Sequence, residues 1–139
     1  MACSDPNLAL QVAINARCLA SAEVMALVSA NQIRDRSARP ETSPLIQIGE
    51  GHTVYRRWDA TAYATLHIWV QEIGLSEAKK IAGALHSALT IDAQRDGVAQ
   101  FGDFLCLDMR VTNAQFIRDP HGPYSHGIVT VAAIMKATN

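Results

Sequence analysis

The stretch RDPHGPYSHG, residues 118–127, sets two histidines five positions apart beside an aspartate. Imidazole nitrogens and carboxylates are ordinary zinc ligands and ordinary proton carriers. Asp119, His121 and His126 could therefore be the centre of a small metal-binding or hydrolytic domain. The same residues also explain themselves as a turn. Pro120 and Pro123 fix φ, Gly122 admits positive φ, and Asp119 can bond nearby backbone amides. A zinc site takes three or four ligands, whereas His52, His67 and His86 fall in separate elements without ligand spacing. The hairpin reading is the stronger one, and no metal or cofactor is expected.

Other catalytic arrangements fare no better. Ser125 precedes His126, but neighbours on a strand point to opposite faces. Asp103 and Asp108 form no marked carboxylate pair. IGEGHTV lacks the third glycine of a dinucleotide loop and no helix start follows it, so it reads as a turn or bulge. The chain is expected to have no catalytic residues and not to be an enzyme.

Composition narrows the classes further. The 139 residues fit one domain, nearly half are apolar, and the formal net charge is −1. That balance gives no general attraction to nucleic acid or anionic membrane. No apolar run approaches the ~20 residues that span a bilayer, and MACSDPNLAL lacks the basic start of a signal peptide. The three cysteines, Cys3, Cys18 and Cys106, are far apart and form no C-x-x-C motif. They fit a reducing compartment, with Cys18 and Cys106 as buried small hydrophobes.

The elements that must position these residues follow from periodicity. Ser4 or Asp5 caps a helix opening at Pro6, in which Leu8, Val12, Ala16, Leu19 and Ala20 recur at helical spacing. Ser21 caps a shorter helix or a continuation, ending near Asn31. A polar, proline-containing arm (RDRSARPETSP) leads to a short strand over residues 45–48, closed by Gly49 and Gly51. A minor strand is expected near Ile33. The clearest strand covers residues 62–71. Ala62, Ala64, Leu66, Ile68 and Val70 point to one face; Tyr63, Thr65, His67, Trp69 and Gln71 point to the other. GLSEAKKIAGALHSAL is a helix capped by Ser76, with Ala78, Ile81, Ala82, Leu85 and Leu89 in one stripe. Residues 90–103 read mostly as connection. In the next strand Leu105, Leu107, Met109 and Val111 alternate with Cys106, Asp108, Arg110 and Thr112. SHGIVTVAAIMK is the last. This order predicts an α+β domain over residues 1–139: a mainly antiparallel sheet covered on one side by two main helices, with a long C-terminal β-hairpin.

Two surfaces remain to be explained. The Tyr63/His67/Trp69 face needs a partner that accepts aromatic bulk and polar atoms together, either a second layer or a second subunit; tryptophan is favoured at interface hot spots. Arginines gather in loops, as Arg34, Arg36 and Arg39, then Arg56 and Arg57 beside Trp58. Loops are where recognition residues concentrate.

The strand ending HIWVQ, the helix GLSEAKKIAGALHSAL and the tail RDPHGPYSHGIVTV together resemble the tail-completion or tail-terminator proteins of long-tailed phages and gene transfer agents. IRDRSARPETSPLIQIG resembles that family's extended arm and early strand. The resemblance runs from LALQVAINARCL to the last strand, and none of its motifs is catalytic. It implies a virion protein, made in the bacterial host cytoplasm, that forms a homo-hexameric ring at the head-proximal end of the tail tube. Such a ring stops tube growth and offers a docking surface to the head connector or stopper protein. DNA passes through its channel without specific binding. Carried to this chain, Tyr63, His67 and Trp69 become subunit-interface candidates. Arg34, Arg36, Arg39, Arg56, Arg57, Trp58, Asp119, His121 and Tyr124 become docking-loop candidates. A neighbouring head–tail joining protein or a tube protein is the other reading within the virion.

Overall fold

The computed structural model describes residues 5–34, 44–71, 74–118 and 122–138. Asp5 starts the first helix, α1 (Pro6–Ala20), by accepting the Asn7 backbone N–H at 2.9 Å. Pro6 sits in the first turn, where its missing N–H leaves no bond unmade. At Ser21 the backbone becomes extended, and the Ser21 hydroxyl accepts the Val24 N–H at 3.3 Å to open a separate short helix, α2 (Ala22–Leu27).

The apolar repeat that reveals α1 in the sequence is not the one it buries. Leu8, Val12 and Leu19 are 50%, 60% and 42% exposed, whereas Ala9, Leu10, Ala13, Ile14 and Cys18 line the core. A helix that is apolar nearly all round offers two stripes, and periodicity alone does not choose between them.

The strands follow as β1 (Ile33–Arg34), β2 (Leu45–Tyr55), β3 (Ala60–Val70), β4 (Ile91–Asp92), β5 (Ala99–Phe101), β6 (Phe104–Arg118) and β7 (Ser125–Ala137). Their order in one sheet is β1-β2-β3-β7-β6-β4, with β5 also on β6. All pairings are antiparallel except β1 on β2. A third helix, α3 (Ser76–Ala88), crosses from β3, and a single turn, α4 (Ala93–Asp96), lies between β4 and β5.

Four expectations need correction. First, β2 does not stop at Ile48. It passes through a bulge, with Ile48 opposite Leu66 and Gly51 opposite Ala64. The glycines allow close approach and do not end the strand. A Cβ on Gly51 would lie 2.5 Å from the Tyr63 carbonyl oxygen and 2.8 Å from Asn7 Oδ1, and one on Gly49 would lie 2.8 Å from the His67 ring. Second, Ser76 is the first residue of α3 and not its cap; Leu75 holds the cap position and makes no side-chain bond there. Third, residues 90–103 contain β4, α4 and β5. Fourth, the β6 alternation slips. A register shift between Cys106 and Asp108 puts Cys106 and Met109 in the core, while Leu105 and Leu107 stay partly exposed.

The alternation in β3 and the stripe of α3 hold. Ala62, Ala64, Leu66, Ile68 and Val70 are buried, and with Val129, Val131, Ala133 and Met135 of β7 they meet α1, α2 and α3 in one core. Fully burying a Leu or Ile side chain contributes about 1.5–3 kcal/mol. Leu10, Ile14, Leu66, Ile81 and Leu85 each reach 0% exposure, so the helix-covered side of the sheet carries the fold. The result is α+β, with the helices on one face. Among the described residues no helix is long and apolar enough to cross a membrane.

Candidate functional site

The other face of the sheet is where Tyr63, His67 and Trp69 meet their partners. Cross-strand register sets the rows: Trp69 lies opposite Leu45 on β2 and His126 on β7, and His126 lies opposite Ile117 on β6. The next row is Gln47, His67, Ile128 and Gln115. Within these rows the side chains are joined. The Trp69 and His126 rings stack with centroids 3.9 Å apart and planes 9° from parallel. The Trp69 indole N–H donates to Gln47 Oε1 at 3.3 Å. His67 Nδ1 lies 2.8 Å from His126 Nε2, and His67 Nε2 lies 3.0 Å from Glu50 Oε1. Further along, Tyr63 stacks on His52 at 4.5 Å.

With His67 donating from Nε2 to Glu50, its neutral ring accepts at Nδ1 and His126 donates from Nε2. The Glu50 carboxyl is held below the ordinary carboxylate range, first by its own backbone N–H and then by the His67 ring.

His126 therefore works with His67, 59 positions away, and its Nε2 is turned to that ring. Ser125 points to the buried side and donates to the Gly74 carbonyl at 2.6 Å, so its adjacency to His126 is one of sequence only. Cys18 and Cys106 are both buried, and burial pushes each thiol up to about 11, which leaves little thiolate. Among the described residues no three His, Cys, Asp or Glu side chains are grouped to hold a metal ion. This face offers stacking and hydrogen-bonding groups to a partner.

The docking-loop candidates among the described residues separate into two places. Arg34 is on β1 beside Gln47, with its Nε donating to the Asn31 carbonyl at 3.0 Å, and Tyr124 precedes β7 at the same end of the sheet. Arg56, Arg57 and Trp58 form the β2–β3 turn, which is closed by the Arg56 N–H donating to the Asp59 carbonyl at 2.8 Å. That turn lies at the opposite end, roughly 25 Å away along β2 at ~3.3 Å per residue. Trp58 and Tyr55 are 75% and 70% exposed, and the Arg57 guanidinium sits 5.1 Å from the Trp58 ring centre. Arg34 and the Arg56/Arg57 pair are thus at opposite ends of the sheet. Arg36, Arg39, Asp119 and His121 lie outside the described residues.

Sequence reasoning missed Gln47, Glu50, His52 and His126 as members of this face. Only cross-strand register brings them there, and no local spacing reports it.

Comparison with known proteins identifies the family and the fold. The family model described as Tail completion protein gp17 matches residues 12–136. One solved structure with the same fold is a chain of the "Virion of native gene transfer agent (GTA) particle". It superposes with a TM-score of 0.76 at 17% identity, over 92% of this chain and 95% of that one. No curated protein matches. With the family model spanning nearly the whole chain, this protein belongs to the tail completion protein gp17 family, structural components of the phage tail.

Proposed function

We propose that the protein forms a six-membered ring that caps the head-proximal end of the tail tube, stops further tube growth and joins the tail to the head connector. The observation that carries this reading is that Arg34 and Tyr124 lie at one end of the sheet and the Arg56–Arg57–Trp58 turn at the other. A part that links two different neighbours along an axis needs one contact surface at each end. Arg34 and Tyr124 serve one end. Arg56, Arg57 and Trp58 serve the other.

A ring also needs lateral contacts, and Tyr63, His67 and Trp69 are assigned to these. Closed rings of identical subunits satisfy their own lateral contacts, and that closure separates a stopper from a polymer. With a formal net charge of −1, the ring would let DNA pass without gripping it, since phosphate binding scales with the number of cationic contacts.

Native mass spectrometry across a concentration series tests the ring. A six-fold species is expected. Open-ended filaments would move the protein to the tube-protein reading, and a monomer that retained zinc would move it to the histidine site.

A further inference from the structure

We propose that the open edge of β6 pairs with the open edge of β2 of a second copy, so that the sheet runs on from one subunit to the next. This rests on the ring reading and adds a strand-edge contact to the lateral contacts assigned there to Tyr63, His67 and Trp69.

Both edges stand open among the described residues. On its outer side β6 meets β5 at residues 104–106 and β4 at Asp108 and Met109, and no further strand is paired to residues 110–117 on that side among the described residues. β2 meets β1 only at Ile46 and Gln47. Beyond the register shift at Val111/Asn113, residues 113–118 form an uninterrupted, mostly exposed edge without proline. An edge of that length is a template for another strand.

Topology selects the partner. Three antiparallel steps separate β2 from β6, so the two run in opposite directions. Rotation about an axis near the strand direction keeps every strand's sense, so the next copy's β2 arrives antiparallel to β6. The joined sheet is then antiparallel throughout. The free parts of the two edges are offset along the strands: Gln115 shares a row with His67, whereas Val54 shares one with Thr61. An offset of about six residues, roughly 20 Å, across four strands spanning ~19 Å corresponds to a strand tilt of about 45°. Closed barrels tilt by about that much.

Charge agrees. Residues 109–118 carry Arg110 and Arg118 and no carboxylate, while residues 44–55 carry Glu50 and no lysine or arginine. Pairing β6 with itself, centred on Ala114, would instead oppose Arg110 to Arg118, and like charges directly opposite are destabilising. The row of Trp69, His126 and Ile117 ends at this same edge, where Ile117 is 40% exposed. A neighbouring strand there extends the stacked face across the junction.

Disulfide trapping tests the pairing in the full-length chain carrying Cys3→Ser. Val54→Cys is combined in turn with Asn113→Cys, Gln115→Cys and Ile117→Cys, which share its face of the sheet. Under mild oxidation one combination is expected to give a ladder ending at six subunits, and neither single variant should. Val54→Cys with Ala114→Cys, on opposite faces, should stay unlinked. Hydrogen exchange on the unaltered protein supplies an independent measure, with slowed amides over residues 113–118 on assembly. A six-fold ring by native mass spectrometry with no link and no slowing overturns the edge assignment and leaves the ring standing. Links in a single β6 variant replace it with a β6–β6 dimer. A ladder running past six keeps the edge pairing but removes the stopper reading beneath it.

Discussion

β3 has two faces that differ in kind. Ala62, Ala64, Leu66, Ile68 and Val70 face the helices, and none exceeds 5% exposure. Those side chains hold no polar atom to direct their packing. Tyr63, His67 and Trp69 on the other face are only partly buried and are tied to His52, Glu50, Gln47 and His126 through rings and hydrogen bonds. Burial of apolar area stabilises the first face without specifying direction. The second gains less from burial and more from geometry, which suits a surface that must recognise something. Folding rests on the first side of the strand, and the second is the side proposed for assembly.

Substitutions can break that division. The largest effect is expected from Leu66→Ala, where a fully buried side chain leaves a cavity: about 2–5 kcal/mol of stability, read by denaturant melting. Trp69→Ala removes the stack on His126 and the N–H that Gln47 accepts. Leaving a buried polar atom unmet costs about 1–3 kcal/mol, so a smaller loss than for Leu66 is expected, together with weaker ring assembly by native mass spectrometry. A Trp69→Ala protein that melts like the unaltered one and assembles normally would remove Trp69 from the interface.

The smallest effect belongs to Glu50. Its carboxyl pKa is lowered in the folded protein. Its contribution is therefore present above the unfolded carboxylate pKa and fades as pH falls through the folded value. An exposed pair of this kind contributes about 0–1 kcal/mol. Glu50→Gln should flatten that part of the acid limb of a stability–pH curve and leave the neutral region almost unchanged. An unaltered acid limb would mean that the His67 contact is not maintained in solution.

Much of this division was legible in the sequence where a single period dominates. The alternation in β3 and the stripe of Ala78, Ile81, Ala82 and Leu85 in α3 both survive in the structure, because each element has one buried face and one that is not. Legibility failed where a second apolar set or a long-range contact intervened. α1 is apolar on both sides, so its outward stripe looked equivalent to its inward one. Gly49 and Gly51 read as strand stops because Asn7 and His67, whose contacts explain them, are distant in sequence. The bulge near Leu107 reverses the phase of β6 without any glycine or proline to announce it. The Tyr63/His67/Trp69 face was readable as a set, but its link to His126 required knowing that Trp69 lies opposite that residue.

The central claim is that this protein ends the tail tube. Electron microscopy of particles assembled without it measures that most directly, through the distribution of tail lengths. Tails that run past their normal length and fail to join heads are the predicted result. Tails of normal length, joined to heads, would contradict the account.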